Sequence, residues 1–119
     1  MADVDALKID LEYLKDLTKK MVKIPSPPGE EKNIGLFITA ELKKMGIASQ
    51  LQKVEKDRQN VLAKVKGRTV NTILFQGHMD TIPAYGWKEA FQPREKDGRI
   101  YGRGSADMKS SIACVLAAM

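Results

Sequence analysis

The chain has 119 residues, of which 43% are hydrophobic and 29% charged, and its formal net charge is +5. This length and composition fit a single soluble domain and exclude low-complexity and disordered classes. No run approaches the roughly 20 apolar residues that span a bilayer, and the acidic start over residues 1–6 is unlike a signal peptide. We therefore expect a cytoplasmic protein that does not contact membranes.

The pattern of basic residues and the single cysteine argue against a nucleic-acid-binding protein and against an enzyme with a cysteine nucleophile. The basic doublets Lys19-Lys20 and Lys43-Lys44 have no interleaved aromatic residues, so the positive charge predicts a solvated surface and no nucleic-acid partner. Cys114 cannot form an intrachain disulfide, and its place in an apolar segment predicts a small buried residue rather than a nucleophile.

Two amphipathic helices are predicted at the start of the chain. Apolar residues recur at helical spacing between charged residues from Asp5 to Val22, which predicts the first helix. Pro25, Pro27 and Pro28 end it, and Ser26 to Gly29 form a turn. A second apolar series from Ile34 to Met45 predicts another helix, with Gly46 as its C-terminal cap.

Strands and a last helix are predicted in the remainder. Ser49 to Val54 is a weak strand, and the alternation from Val61 to Val65 predicts a half-buried one. Thr72 to Gln76 is apolar on both faces, which is typical of an interior strand. Asp97-Gly98 is a hairpin signal, and the run from Ile112 to Met119 predicts a helix.

The only histidine, His78, follows the predicted interior strand in Gly77-His78-Met79-Asp80-Thr81. Residues i and i+2 of an extended segment point to one side, so His78 and Asp80 can face the same cavity. Neutral imidazole is a common zinc ligand when its second nitrogen donates to a carboxylate. The alternative is an ordinary strand-end histidine followed by a turn. The spacing makes His78 a metal-ligand candidate.

A second candidate, Asp107, lies in the glycine-punctuated loop that begins at Gly102 and precedes the last helix. Near a helix start an aspartate can act as an N-cap. A carboxylate can also bridge two divalent ions about 3.5 to 4 Å apart. Beside His78, the second interpretation is favoured.

Four segments together resemble the two-zinc amidohydrolases, a family that includes acetylornithine deacetylase, succinyl-diaminopimelate desuccinylase, aminoacylase and glutamate carboxypeptidase. The resemblance runs nearly end to end and is most specific at the two candidate metal motifs. It rests on residues 24–31, on residues 77–83, on Gly86-Trp87 with Phe91, and on residues 101–109.

The resemblance implies a role for each candidate residue. His78 would bind one zinc, and Asp107 would bridge both ions. Asp80 would be the catalytic residue, and it would act by orienting the His78 ring. The cofactor would be two divalent ions, zinc or alternatively cobalt. The Asp107–Met108 peptide bond would be cis. Arg103, Ser105 and Lys109 would shape the loop and the helix start.

Other ligands of the family have no counterpart in this chain. The family also uses a Glu-Glu pair that supplies the general base and a ligand, a further acidic ligand and a late histidine. The doublet Glu30-Glu31 lies upstream of His78 and opens a helix, where carboxylates favour the helix dipole. We therefore expect the chain alone to be inactive.

The implied reaction is metal-assisted hydrolysis of the amide bond of an N-acyl amino acid, of the acetylornithine deacetylase or succinyl-diaminopimelate desuccinylase type. A dipeptidase or carboxypeptidase of the same family is an alternative with a peptide substrate. Another is a non-catalytic structural or assembly module that keeps the fold. A third is a site completed by ligands from another polypeptide.

The implied fold is a three-layer α/β sandwich with a mixed sheet and helices on both faces. Residues 1–119 would form the N-terminal part of its catalytic domain, truncated at Met119 within a helix that no Gly, Asn or Pro ends. A sheet without its later strands exposes edges and apolar faces. We therefore expect the protein to be a homo-oligomer.

Overall fold

The computed structural model describes residues 8–119. Within this range the chain forms three helices and two separate two-stranded antiparallel sheets, an α/β arrangement. The predicted three-layer sandwich with a mixed sheet is not seen in this range, because each sheet holds only one antiparallel pair of strands. The elements in chain order are α1 (Leu11–Val22), α2 (Lys32–Lys44), β1 (Ser49–Glu55), β2 (Arg58–Ala63), β3 (Arg94–Lys96), β4 (Arg99–Tyr101) and α3 (Lys109–Ala118).

Helix α1 begins later than predicted. The Asp10 side chain accepts a hydrogen bond of 2.9 Å from the Tyr13 N–H, the contact by which an N-cap satisfies a free donor of the first turn. The helix therefore begins at Leu11 and not at Asp5, which lies outside the described residues. It ends at Val22, as predicted.

Helix α2 follows the sequence pattern closely. Its apolar residues Ile34, Ile38 and Leu42 are buried, and Gly46 follows the helix with φ +73°. This left-handed conformation is the one that a glycine after a helix adopts at low cost, so the predicted C-terminal signal is confirmed.

The core lies between the helices. Helix α1 packs against α3, and α2 packs against the β1–β2 pair. Gly35 of α2 faces Leu51 and Val61, and a Cβ there would make ordinary van der Waals contact with their methyl groups, at 3.6 and 3.7 Å. The buried core residues are Leu17, Met21, Ile34, Ile38, Leu42, Ala113 and Leu116.

The strand β1 is confirmed, and β2 is shifted towards the N-terminus. Ser49 lies opposite Ala63, and Leu51 lies opposite Val61. The predicted strand from Val61 to Val65 is wrong at both ends, since the pairing begins at Arg58, directly after the turn, and ends at Ala63. The partner strand, rather than the apolar alternation, sets these limits.

The apolar segment Thr72–Gln76 is not a strand in the structure. Ile73, Leu74 and Phe75 are 80%, 82% and 67% exposed. A strand needs a neighbour for its backbone donors and acceptors, and no strand among residues 8–119 lies beside this segment. The predicted interior strand is therefore wrong for this part of the chain.

The hairpin β3–β4 is confirmed. Asp97 and Gly98 both have positive φ, +53° and +71°, as the two central residues of a type I′ turn must. The hairpin is tied to α1, because Glu95 accepts from Lys15 and Lys19 at 3.0 Å each. It returns the chain towards the loop that contains Asp107.

Helix α3 starts three residues earlier than predicted, at Lys109, and buries Lys109, Ala113 and Leu116. Cys114 is exposed, so the prediction of a buried thiol is wrong. The helix buries positions 113 and 116, and position 114 points away from that face. No helix in the described range is long and apolar enough to cross a membrane.

Candidate functional site

The segment that carries His78 is held by Ser26. The Ser26 hydroxyl donates to the Met79 carbonyl, and the Thr81 N–H donates to the Ser26 carbonyl, both at 2.8 Å. These two hydrogen bonds lie on either side of Asp80. They fix a stretch of backbone that no strand ladder holds.

His78 lies between two carboxylates. Its Nε2 is 2.9 Å from Asp107 Oδ1. Its Nδ1 is 2.9 Å from the Asp80 carbonyl oxygen and 3.2 Å from Asp80 Oδ1. The structure thus brings together all three candidate residues. The contact at Nδ1 has the geometry of the orienting role that the resemblance implies for Asp80.

The two carboxylates change the proton affinity of His78. Burial alone would lower the pKa of His78, but the hydrogen bonds to Asp107 and Asp80 and the charges of both carboxylates raise it above its ordinary value of 6.5. Because a metal ion binds only the neutral ring, this raised pKa makes protons and metal compete at Nε2.

The loop from Gly102 to Asp107 is built on glycines. Gly104 has φ +83°, and a Cβ there would lie 2.6 Å from the Thr81 side chain and 3.0 Å from that of Lys109. The loop therefore packs directly against the segment after Asp80. The Asp107–Met108 peptide bond is cis, as the resemblance implied.

Asp107 does not cap α3. The N-cap position is Met108, and no side chain accepts a capping hydrogen bond there. Asp107 instead contacts His78 and is 87% exposed. The alternative interpretation of Asp107 as an N-cap is therefore wrong, and its carboxylate has a free oxygen that faces solvent.

Met108 packs the two candidate segments together. The His78 N–H lies 3.3 Å from Met108 Sδ. A Cβ on Gly77 would lie 2.9 Å from Met108 Cε, so a side chain there would make the end of the methionine shift. The residue after Asp107 thus lies directly against the residues that carry His78.

Two further residues lie beside the candidate site: Lys109, which was expected to shape the loop and the helix start, and Ser26, to which no role was assigned. Lys109 is fully buried, and its Nζ donates to the Ile24 carbonyl at 2.6 Å. Burial lowers the pKa of Lys109 to about 8. A charged residue at the start of an apolar helix and a serine between prolines are weak signals, because their partners are distant in sequence.

A shallow cavity of about 180 Å³ adjoins Asp107. Arg103 lines it, and its guanidinium lies 5.3 Å from the centre of the Trp87 ring, in the range of a cation–π contact. The cavity is open to solvent beside the free face of the Asp107 carboxylate. Its lining is Ile82, Gly102, Arg103, Gly104, Ser105, Ala106 and Asp107.

The donor set fits part of a zinc site. Zinc ligands lie about 2.0 to 2.2 Å from the ion, so two of them at a tetrahedral angle are about 3.3 Å apart. The 2.9 Å between His78 Nε2 and Asp107 Oδ1 is close to this spacing. Among residues 8–119, no group of three or more His, Cys, Asp or Glu side chains is placed to hold a metal ion. His78 and Asp107 are thus two candidate ligands, fewer than a complete metal site needs.

Comparison with known proteins relates this sequence to one family. Residues 74–119 match the model of peptidase family M20/M25/M40. Succinyl-diaminopimelate desuccinylase of Corynebacterium glutamicum is 35% identical over 113 residues, which cover 92% of this chain and 29% of the relative. The same enzyme of Wolbachia pipientis is 33% identical over 108 residues, 87% of this chain and 27% of the relative.

A third relative has a higher identity over a shorter stretch. Succinyl-diaminopimelate desuccinylase of Methylibium petroleiphilum is 44% identical over 66 residues, 50% of this chain and 17% of the relative. The chain thus spans less than a third of the length of these relatives. The matched family consists of metal-dependent hydrolases. The chain belongs to peptidase family M20/M25/M40.

Proposed function

We propose that this chain contributes one side of the metal site of a hydrolase that cleaves the amide bond of an N-acyl amino acid. His78 and Asp107 are the metal ligands in this proposal, and Asp80 orients the His78 ring. The ions are divalent, with zinc as the first choice and cobalt as the second. The remaining ligands and the general base come from protein segments outside these 119 residues.

The observation that carries the proposal is the convergence of His78 and Asp107. Their ligand atoms lie 2.9 Å apart, and both side chains are open to solvent, at 46% and 87% exposure. A metal ion can therefore reach both from the solvent side. A histidine that served only the core would be expected to lie buried among apolar residues.

The chemistry of the site follows from these positions. A bound divalent ion would lower the pKa of a water molecule and polarise the substrate carbonyl. Asp80 accepts at Nδ1 of His78 and so keeps Nε2 directed at Asp107. Asp107, whose carboxylate is exposed, would also help to hold a second ion. No residue of this chain is assigned the role of proton shuttle.

The proposed substrate is an N-succinyl or N-acetyl amino acid. The support is the relatives named succinyl-diaminopimelate desuccinylase, which align with 87% and 92% of this chain. A cavity beside Asp107 that includes a cationic side chain, Arg103, suits an anionic acyl group better than an apolar one.

The proposal also includes the fold around the site. In the complete catalytic domain, Thr72–Gln76 becomes an interior strand of a three-layer α/β sandwich. The support is its apolar character on both faces and the exposure of Ile73, Leu74 and Phe75 in the structure. A partner strand on each side would pair the backbone that lies open here.

Zinc binding to the 119-residue chain is the direct test. We expect isothermal titration to detect zinc binding by the wild-type chain and its loss in His78→Ala and Asp107→Asn. Asp16→Asn is the matched control, because Asp16 lies on α1 and pairs with Lys20. Unchanged zinc binding in His78→Ala would overturn the proposal.

Hydrolysis is tested in the complete product of the gene that encodes this chain. We expect two zinc ions per molecule and release of succinate or acetate from N-succinyl-diaminopimelate or N-acetylornithine. The His78→Ala and Asp107→Asn variants should lose this activity. A complete product that turns over only dipeptides would favour the peptidase alternative, and one that binds no metal would favour a structural module.

A further inference from the structure

The two candidate ligands come from separate segments, and both segments are fastened to the same short stretch of backbone. Lys109, two residues after Asp107, donates to the Ile24 carbonyl at 2.6 Å. Ser26 exchanges hydrogen bonds of 2.8 Å with Met79 and Thr81, next to Asp80. Ile24 and Ser26 are separated only by Pro25, whose ring restricts the backbone between the two attachment points.

Burial makes these contacts stronger and more specific than surface contacts. Lys109 and Ser26 are both fully buried, so water does not compete for their hydrogen bonds. A change in either bond would leave the carbonyl of a half-buried residue, Ile24 or Met79, without its donor. The segment 24–26 therefore cannot easily move relative to either ligand segment.

A simple packing role does not account for Lys109. Among residues 8–119, no carboxylate pairs with its ammonium group, which contacts a backbone carbonyl instead. A buried charge without an opposite charge is costly, and a methionine would fill the same volume without that cost. The buried ammonium group is therefore better explained by its hydrogen bond to the Ile24 carbonyl than by packing.

We propose that Lys109 and Ser26 are positioning residues that use the backbone of residues 24–26 as a brace to hold His78 and Asp107 at metal-binding distance. This inference rests on the proposed function of His78 and Asp107 as metal ligands. The brace acts before metal arrives, since it fixes both segments through bonds that do not involve the ligands themselves. Preorganised ligands lose less freedom when a metal binds.

The test uses Lys109→Met and Ser26→Ala in the 119-residue chain. Thr39→Val is the matched control, because the Thr39 hydroxyl also donates to a backbone carbonyl, that of Gly35 at 2.9 Å, but within α2. Circular dichroism establishes that each variant is folded. The use of two sites keeps the test valid if one variant does not fold.

The first measurement reports the distance between the two segments that carry His78 and Asp107, in the absence of metal. Met108 lies against Gly77 and the His78 N–H, so a nuclear Overhauser effect between the labelled Met108 methyl group and these protons reports the distance between the two segments. We expect this signal to weaken or disappear in Lys109→Met and Ser26→Ala and to persist in Thr39→Val. The second measurement is zinc affinity, which should fall by about 10- to 100-fold in the two brace variants.

The outcomes separate the two proposals. Brace variants that keep both the methyl signal and the zinc affinity, even if they melt at a lower temperature, would show that Lys109 and Ser26 only stabilise the fold and would overturn this inference. Loss of the methyl signal with unchanged zinc affinity would also overturn it. Unchanged zinc binding in His78→Ala would instead overturn the proposed function.

Discussion

His78 Nε2 lies 2.9 Å from Asp107 Oδ1, although the two residues are 29 positions apart in the chain. The contact joins a segment without regular structure to a glycine-rich loop, and neither has a strand ladder to hold it. It depends instead on buried hydrogen bonds from Ser26 and Lys109. The site is therefore assembled by tertiary contacts and not by one secondary-structure element.

The pKa of His78 should respond to Asp107. The two carboxylates raise this pKa, so Asp107→Asn should lower it towards 6.5 or below. A raised pKa in the folded state contributes stability that is present below the unfolded value of about 6.5 and is lost as pH rises through the folded value. Titration of the ring protons by NMR measures the shift.

The same charge effect gives a pH dependence of zinc binding. In the wild-type chain, zinc affinity should increase as pH rises through the folded pKa of His78, because the ring must lose its proton first. Asp16→Asn should show the wild-type titration. A His78 pKa that is equal in wild type and Asp107→Asn would contradict the contact seen in the structure.

Gly104 should not tolerate a side chain. Its φ is +83°, and a Cβ would lie 2.6 Å from the Thr81 side chain, so Gly104→Ala should destabilise the fold by about 1 to 3 kcal/mol. Urea denaturation measures this loss. Gly67→Ala is the matched control, because a Cβ there meets nothing within 4 Å, and an equal loss in both variants would refute the steric explanation.

The pair of Glu31 and Arg58 should give the fold an acid-sensitive contribution. Glu31 Oε1 accepts from Arg58 Nη2 at 2.8 Å and from Nε at 3.1 Å. Burial alone would raise the pKa of Glu31, but hydrogen bonds from the backbone N–H groups of Gly29 and Glu31 and from Arg58 lower it overall. The ionised form is therefore the one that stabilises the folded state.

Substitution of Glu31 should matter only while it is charged. A lowered pKa contributes stability above the unfolded value of about 4.5 that is lost as pH falls through the folded value. Glu31→Gln should thus destabilise the chain at pH 7, and the difference from wild type should shrink in acid. Denaturation at both pH values tests this, with the exposed neighbour Glu30→Gln as control. A difference independent of pH would exclude the charge as its cause.

The exposed apolar segment should drive self-association. Leu74 is 82% exposed between Ile73 and Phe75, and such a patch on an unpaired segment favours contact between molecules. Leu74→Lys should shift the chain towards monomer in size-exclusion chromatography with light scattering. Val70→Lys, at a residue that is 98% exposed outside this patch, should not. A monomeric wild-type chain would remove the basis for the expected oligomer.

Local signals in the sequence were sufficient for several elements. The apolar spacing predicted α2 and the end of α1, and Asp97-Gly98 predicted a hairpin because its two residues tolerate positive φ. The candidate residues His78, Asp80 and Asp107 were found from short motifs, and the structure brings them together. Each of these signals lies within a few neighbouring residues.

The wrong predictions concern features that depend on distant partners. Thr72–Gln76 has the composition of a strand, but a strand forms only beside another, and none lies there in residues 8–119. The hydrogen bond from Lys109 to the Ile24 carbonyl, 85 positions away, is a contact that no local pattern predicted. Neither relationship leaves a pattern in the local sequence.

The exposed thiol of Cys114 provides a chemical reporter away from the candidate site. It borders a shallow apolar hollow formed with Phe75, Val115, Ala118 and Met119, next to the segment that would become an interior strand. Any polypeptide that covers this hollow would shield the sulfur from small electrophiles. The rate at which a maleimide or disulfide reagent modifies the single cysteine therefore measures how completely that face is occluded, while His78 and Asp107 remain untouched.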